Sequence, residues 1–220
     1  MNAIEPLVHL VDNDPQVLKA VARLLASAGY RTQTNLSANE FLARYDRSAP
    51  GCLVLDVAMP EQTGLELQRA LHSNGIDVPI VFLSGCSEVP ECVRAMKDGA
   101  VDFLTKPVDG DALVEAVQRA VEFDMRQRER SEEEHTLHER LDALTPRERE
   151  ILPFLVSGKL NKQIAGDLGV VEKTVKVHRA HVMHKLGVRS LADLVRFTAR
   201  VHIAPQGARD SAPPVGPRAN

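Results

Sequence analysis

Short apolar runs alternate with longer amphipathic segments over the first 121 residues of the chain. The segments between the runs carry apolar residues at helical spacing, the clearest being Val17, Ala20, Val21, Leu24 and Leu25. The apolar runs are bounded by turn-forming residues and fall at Leu7–Val11, Thr32–Thr34, Leu53–Asp56, Ile80–Ser84 and Asp102–Thr105. Five strands alternating with about five helices predict an α/β domain built on a doubly wound parallel sheet.

The pattern changes near residue 122. Residues 122–141 are dense in Arg and Glu, with Leu137 and Leu141 at helical spacing, and predict a charged helical linker that continues the fifth helix. A weak coiled coil and a mobile charged tether are the alternative interpretations. Residues 204–220 are rich in Pro, Gly and Ala, which predicts a disordered tail.

Between the linker and the tail, residues 142–203 form a second domain that is helical throughout. Gly158, Gly169 and Gly187 mark helix ends. Thr145 precedes Pro146 and is followed three residues later by Glu148, which predicts a capping box at the first helix. The expected helices are Pro146–Ser157, Asn161–Leu168, Lys173–Leu186 and Leu191–Val201.

The overall charge of −3 conceals a division between the two domains. Residues 1–121 contain 10 lysines and arginines against 16 acidic residues, whereas residues 142–203 contain 11 against 6. The basic second domain suits a polyanionic partner, although a charge imbalance alone does not identify one.

Three cysteines without a CxxC pair indicate buried free thiols in a reducing compartment. With no leader-like start and no long apolar run, we expect a cytoplasmic protein that does not enter a membrane.

Polar residues lie at the ends of four predicted strands. Asp12 and Asp14 follow the first strand, Asp56 ends the third, Ser84 ends the fourth and Lys106 follows the fifth. Each one alone is compatible with an ordinary loop residue or helix cap. Because the carboxyl ends of parallel strands meet at one edge of a sheet, we expect these side chains to lie together in one site.

Clustered carboxylates repel one another unless a cation lies between them, and oxygen ligands suit Mg²⁺. Such oxygens are available from Asp12, Asn13 or Asp14, and Asp56. A carboxylate beside Mg²⁺ can attack a phosphoryl group and form an acyl phosphate. An ammonium at Lys106 and a hydroxyl at Ser84 are the stabilising groups that this product requires, so the sequence predicts phosphorylation of Asp56.

Four segments in this order, VDND, LVLDVAMPEQTGLEL, VFLSG and GAVDFLTKPV, resemble the receiver domain of bacterial two-component response regulators. The resemblance spans roughly residues 5–121 and implies a flavodoxin-like five-stranded parallel sheet. It implies that a sensor histidine kinase phosphorylates Asp56, that Ser84 is the switch hydroxyl and that Lys106 contacts the phosphate. Phe103 matches the aromatic residue that changes rotamer on phosphorylation, with a plain core phenylalanine as the alternative.

The resemblance also implies a Mg²⁺ site. The residues it assigns to that site are Asp12, Asn13, Asp14, Asp56 and Ala58. The family usually has two adjacent acids after the first strand, whereas here the second position is Asn13. An amide oxygen supplies no charge, so we expect weaker metal binding unless Asp14 compensates.

The second domain contains a helix–turn–helix pattern in which residues 161–168, a Gly169 turn and a basic helix follow one another. The segments TPRERE, SGKLNKQIA, KTVKVHR and KLGV resemble the LuxR-type DNA-binding domain of the NarL/FixJ subfamily. The resemblance implies a four-helix fold with Glu172–Leu186 as recognition helix and Leu191–Val201 as dimer-forming helix. It implies DNA contact by Lys162, Gln163, Lys173, Thr174, Lys176, Val177 and Arg179.

Together the two resemblances imply a response regulator whose phosphorylation switches dimerisation and binding to double-stranded promoter DNA. We expect an activator that also contacts RNA polymerase. An aspartate-dependent phosphohydrolase is one alternative, but such enzymes need a second acid two residues after the nucleophile, where this chain has Ala58. A receiver whose second domain only docks onto proteins is the other.

Overall fold

The computed structural model describes residues 5–85, 89–201 and 203. The chain divides into two units, residues 1–129 and 130–220. Residues 204–220, for which the sequence predicts disorder, lie outside the described residues, as does Cys86. No helix in the described ranges combines the length and apolarity that crossing a membrane requires.

The first unit is built on the predicted parallel sheet of five strands. The strands are β1 (Leu7–Val11), β2 (Arg31–Asn35), β3 (Gly51–Asp56), β4 (Ile80–Ser84) and β5 (Asp102–Thr105). They lie in the order β2-β1-β3-β4-β5, and every neighbouring pair is parallel. β2 and β3 extend one or two residues beyond the predicted apolar runs, because backbone pairing continues through polar or small residues that a hydrophobicity pattern does not register.

Helices cover both faces of this sheet. They are α1 (Pro15–Ser27), α2 (Ala38–Arg44), α3 (Gly64–Ser73), α4 (Val89–Lys97) and α5 (Gly110–Asp142). One apolar cluster joins the sheet to α1 and α5, and a second joins it to α2, α3 and α4. β3 and β4 are therefore buried along their whole length, which explains why they are the most continuously apolar strands in the sequence.

The part of α5 that follows residue 121 is bonded to the first unit through Asp124 and Arg128. The buried Asp124 carboxylate accepts hydrogen bonds from the backbone N–H of Gly51 (2.9 Å) and from Arg128 Nε (2.7 Å). Arg128 also donates to the backbone carbonyls of Arg47 (2.9 Å) and Ala49 (3.0 Å). These bonds tie α5 to the loop before β3. The exact range of a linker, 122–141, stays a prediction.

The second unit contains the four helices that the sequence predicts, together with the last turns of α5. They are α6 (Pro146–Val156), α7 (Asn161–Leu168), α8 (Glu172–Leu186) and α9 (Leu191–Arg200). Thr145 and Glu148 form the predicted capping box at α6. Gly169 and Gly187 adopt the left-handed conformation that ends α7 and α8. Apolar side chains from all four helices meet in one core, which Leu137 of α5 joins.

Candidate functional site

The carboxyl ends of β1, β3, β4 and β5 bring four predicted site residues to one edge of the sheet. Val11 pairs with Leu55, so the residues that follow them in the chain, Asp12 and Asp56, lie side by side. Both carboxyl groups are nearly inaccessible, with 3% and 4% of their residue surfaces exposed. Ser84 is buried at the end of the adjacent strand β4. The sheet topology thus produces the cluster that the strand-end pattern predicts.

Lys106 links the two acids directly. Its Nζ donates to Asp12 Oδ2 and to Asp56 Oδ1, each at 2.7 Å. Burial alone would lower the pKa of Lys106, but the hydrogen bonds and charges of the two carboxylates outweigh it and raise the pKa above its ordinary value. The lysine is therefore held in its cationic form, and it contacts the predicted phosphoacceptor directly.

The other predicted metal-site residues lie around this pair on the surface. Asn13, Asp14 and Ala58 are all exposed. The Asp14 carboxylate accepts from Gln16 N (2.8 Å) and caps α1, while the Asp14 N–H donates to Asp12 Oδ1 (2.8 Å). Within the described residues no group of three or more His, Cys, Asp or Glu side chains is placed to hold a metal ion.

The donor chemistry nevertheless fits a hard divalent cation. Asp12 and Asp56 carry two negative charges against the single positive charge of Lys106, so the cluster retains a net negative charge in a buried setting. An incoming phosphoryl group adds more negative oxygens, which makes a further cation favourable. The oxygens of the two carboxylates and of the Asn13 amide are of the kind that Mg²⁺ prefers, and they would be available to such an ion.

Phe103 lies on β5, three residues before Lys106. Its ring is partly buried, and its centroid is 6.2 Å from that of Phe82 on β4. The ring is therefore neither a fully enclosed core residue nor a free surface group. This intermediate burial is compatible with a ring that adopts two rotamers, although its role in switching stays a prediction.

Gly64, the first residue of α3, is a site residue that the sequence reasoning missed. A Cβ atom at this position would lie 2.3 Å from the backbone oxygen of Asp56 and 3.1 Å from the ring of Phe82. The Gly64 N–H also donates to Val57 O (3.0 Å) in the turn after the phosphoacceptor. Glycine is therefore required for α3 to approach the Asp56 backbone this closely. The only sequence signal was the glycine in the quoted segment EQTGLEL.

We expect Gly64→Ala to displace the backbone at Asp56, because a carbonyl oxygen cannot rotate away as a long side chain can. The substitution should destabilise the first unit by about 1 kcal/mol or more and slow its phosphorylation. Denaturant unfolding and labelling with acetyl phosphate measure the two effects. Gly85→Ala is the control for stability, since its Cβ would meet nothing within 4 Å; equal stability of the two variants would contradict the prediction.

The predicted DNA-contacting side chains lie on α7 and α8 and are largely accessible. Lys162, Lys173 and Lys176 are exposed, and Arg179 is partly exposed. Within the described residues none of these four cations takes part in a salt bridge. Val177 is an exposed apolar residue on the same helix, whereas Val175 faces the core. Unpaired cations beside an accessible apolar group suit contacts to phosphates and to base edges.

Thr174 and Gln163 complete the predicted set. Thr174 is half-buried near the start of α8. The Gln163 amide oxygen accepts from Leu160 N (2.9 Å), which fixes the side chain at the start of α7. Both lie at helix N-termini, where backbone N–H groups favour contact with phosphate.

A buried carboxylate attaches α8 to α6. Glu148, 2% exposed, accepts from Lys185 Nζ (2.7 Å) and Thr145 N (2.8 Å), and His181 Nδ1 lies 3.5 Å from its second oxygen. Burial alone would raise the pKa of Glu148, but the hydrogen bonds from Lys185 and Thr145 lower it to about 2. Lys185 is thereby paired with Glu148, whereas Lys173, Lys176 and Arg179 of α8 take part in no salt bridge within the described residues. The sequence indicated only the capping role of Glu148.

Comparison with known protein families gives one match in each unit. The family described as response regulator receiver domain matches residues 8–118. The family described as bacterial regulatory proteins, luxR family, matches residues 142–198. The first match contains every residue of the acidic site, and the second contains the whole of α6, α7 and α8.

Several known proteins are similar to this chain across most of its length. The chain is 43% identical to the response regulator protein TodT of Pseudomonas putida over 89% of this chain and 86% of TodT. It is 40% identical to the transcriptional regulatory protein FixJ of Rhizobium meliloti over 86% of this chain and 93% of FixJ. The solved structure of the response regulator StyR matches with a TM-score of 0.86 and 41% identity, over 89% of this chain and 99% of StyR.

Proposed function

Since the chain belongs to the FixJ-type response regulators, in which a receiver domain precedes a LuxR-type DNA-binding domain, we propose that Asp56 is its phosphoacceptor and that α8 reads its DNA site. The chain is a transcriptional response regulator and not an enzyme. The observation that carries the assignment of Asp56 is the pair of 2.7 Å bonds from Lys106 to Asp12 and Asp56. A receiver domain implies a sensor kinase as partner.

In the proposed reaction an Asp56 carboxylate oxygen attacks the phosphorus of a phosphohistidine on the sensor kinase. The P–O bond forms as the P–N bond breaks, and the departing imidazole keeps the electron pair. Lys106 already donates to Asp56. We propose that it contacts the phosphoryl oxygens as negative charge develops on them. Asp12 competes for the same ammonium, so transfer of that contact to the phosphoryl group is part of the proposed switch.

We propose that Asp12 and Asp56 hold Mg²⁺ with help from Asn13, Asp14 and Ala58. When bound, the ion neutralises charge that develops on the phosphoryl oxygens. Asn13 replaces a charged ligand, so we propose a lower Mg²⁺ affinity than two adjacent acids would give. The involvement of Asp14 would require its carboxylate to leave the α1 cap.

Phosphorylation is proposed to act through Ser84 and Phe103. Attraction of the Ser84 hydroxyl to the phosphoryl group would leave space for the partly buried ring to turn inward. Such a movement biases a two-state equilibrium between an inhibited monomer and a DNA-binding dimer. To move this equilibrium from 1:99 to 99:1, phosphorylation would have to stabilise the dimer over the monomer by about 5.5 kcal/mol, so some activity without phosphate is expected.

The DNA-bound form is proposed to be a homodimer joined through α9, where Leu191 and Val195 are exposed apolar residues. Two copies of α8 would then read an inverted repeat with half-sites about one helical turn apart. We propose a cytoplasmic activator that contacts RNA polymerase, in keeping with a transcription regulator whose DNA target is a promoter.

Substitution of Lys173 and Lys176 together by alanine tests the DNA interface. Both side chains are exposed and unpaired within the described residues, so their loss should not disturb folding. If each contacts a phosphate, the slope of log affinity against log salt concentration falls by about 2. Fluorescence anisotropy with promoter DNA over a range of salt measures that slope.

Lys19→Ala combined with Lys97→Ala is the matched control, since it removes the same charge from the first unit. It should leave the salt slope unchanged. An unaltered slope in the Lys173 and Lys176 double variant would contradict DNA binding through α8. Absence of DNA binding in any phosphorylation state would instead favour a protein-docking role for the second unit.

A further inference from the structure

The described helices differ in the residue at which they begin. Side chains of Ser, Thr or Asp cap α1, α2, α3, α6 and α9, and each accepts a hydrogen bond from a backbone N–H of the first turn. In contrast, α7 and α8 follow Leu160 and Val171, whose side chains have no acceptor and make no such bond. Because polar caps stabilise helices, both members of the helix–turn–helix pair lack a contribution that the other five helices have.

These two apolar side chains also lie outside the core of the second unit. Leu160 and Val171 are each 68% exposed, more than any other large apolar residue that is described in this unit. Val170, the neighbour of Val171, packs against the core instead. Neither helix capping nor burial therefore explains why a branched apolar residue stands at either position.

The surroundings of Val171 suit contact with DNA. Its carbonyl oxygen accepts from the N–H groups of Thr174 (3.0 Å) and Val175 (3.4 Å), so the first turn of α8 fixes its backbone. A β-branched side chain is stiff at χ1, so it loses little conformational entropy when it makes a contact. Lys173 and Lys176 follow on α8, and both are exposed and take part in no salt bridge within the described ranges. Their charges are complementary to the phosphates on either side of a base.

We propose that Val171 is a specificity-determining residue that contacts the 5-methyl group of a thymine in the major groove. In helix–turn–helix proteins the N-terminal residues of the recognition helix reach base edges, whereas the preceding helix crosses the DNA backbone. The thymine methyl is the apolar group that base pairs present in the major groove. An apolar residue in place of a polar cap thus lowers helix stability but provides a preference for thymine. This inference rests on the proposed binding of DNA through α8.

Deoxyuridine tests this contact, because it pairs as thymidine does and lacks only the 5-methyl group. Duplexes that bind the full-length protein, treated with acetyl phosphate, are first enriched from a random-sequence pool. Each thymine of the enriched half-site is then replaced singly by deoxyuridine, and fluorescence anisotropy measures the affinity. For at least one thymine the replacement should weaken binding by about 4-fold, as expected for the loss of one buried methyl group.

Val171→Ser should reduce that 4-fold ratio to about 1. Because serine supplies the missing cap, the same variant should raise the thermal unfolding midpoint of the second unit by about 4–8 °C, measured by circular dichroism. A purely structural role for Val171 would not give this combination of effects. Val171→Ile keeps an apolar side chain and should retain the preference for thymine. Leu160→Ser is the control, since it makes a similar change before α7, the helix that crosses the backbone, and should leave the ratio unaltered.

The inference fails if no replacement by deoxyuridine weakens binding, or if Val171→Ser retains every preference for thymine that the unmodified protein has. It also fails if Leu160→Ser loses the preference to the same extent, because the effect would then follow from any change of helix cap. Enrichment of no duplex at all would instead overturn DNA binding by the second unit, and the inference about Val171 with it.

Discussion

Asp56→Asn should reduce phosphate incorporation from acetyl phosphate to background. Asparagine has nearly the same shape but no carboxylate to form the acyl phosphate, so the chemistry is lost while the fold is kept. Lys106 retains its bond to Asp12 in this variant. Labelling with radioactive acetyl phosphate, or intact-protein mass spectrometry, measures the result directly.

Asp77→Asn is the matched control, since it makes the same change at an exposed acid on the opposite edge of the sheet. It should be labelled at the normal rate. Undiminished labelling of Asp56→Asn would reject the assignment of Asp56, together with the switch proposed for Ser84 and Phe103.

Glu148→Gln should destabilise the second unit by about 2 kcal/mol, the usual cost of losing a hydrogen bond to a charged group. The amide cannot provide the charge that Lys185 and His181 contact, and α8 is held less firmly against α6. Both tyrosines, Tyr30 and Tyr45, lie in the first unit and the chain has no tryptophan. Tyrosine fluorescence therefore reports the first unit alone, whereas far-UV circular dichroism reports both.

The same variant should change how the second unit responds to acid. The pKa of Glu148 is lowered from its ordinary value of 4.5 to about 2 in the folded protein. Its contribution to stability is therefore complete above pH 4.5 and is lost as the pH falls toward 2. Glu148→Gln should remove that part of the pH dependence and lower stability at neutral pH.

Glu150→Gln serves as the comparison, because Glu150 lies on the same helix but pairs with Arg147 at the surface. It should shift the circular dichroism transition by far less. The role assigned to Glu148 would be contradicted if the two variants had the same circular dichroism transition. It would also be contradicted if Glu148→Gln shifted the tyrosine fluorescence transition as much as the circular dichroism transition.

The sheet and the four C-terminal helices could be predicted because their signals are local. β1, β4 and β5 begin and end where the apolar runs do, and Asn161–Leu168 matches α7 at both ends. The convergence of Asp12, Asp56 and Lys106 also followed from a general rule about parallel strands rather than from any one residue. Periodicity and strand-end position are thus sufficient to locate the acidic site.

Other features depend on contacts between distant segments, which no local pattern reveals. Glu148 was predicted as a helix cap, but its bond to Lys185 crosses 37 positions of the chain. The approach of Gly64 to Asp56 depends on how α3 packs under β3 and β4. The exposure of Val171 is apparent only once the neighbouring Val170 is packed against the core. In each case the residue type was ordinary and its surroundings made it specific.

The bonds of Asp124 and Arg128 bear on where an isolated receiver can safely be cut. The receiver family match ends at residue 118, before both side chains. A fragment that stops there would leave the Gly51 N–H and the carbonyls of Arg47 and Ala49 without these donors and acceptors. Gly51 is also the first residue of the strand that ends in Asp56. Phosphorylation rates measured on so short a fragment would reflect a loosened strand, and a fragment extended past residue 128 is the sounder reagent.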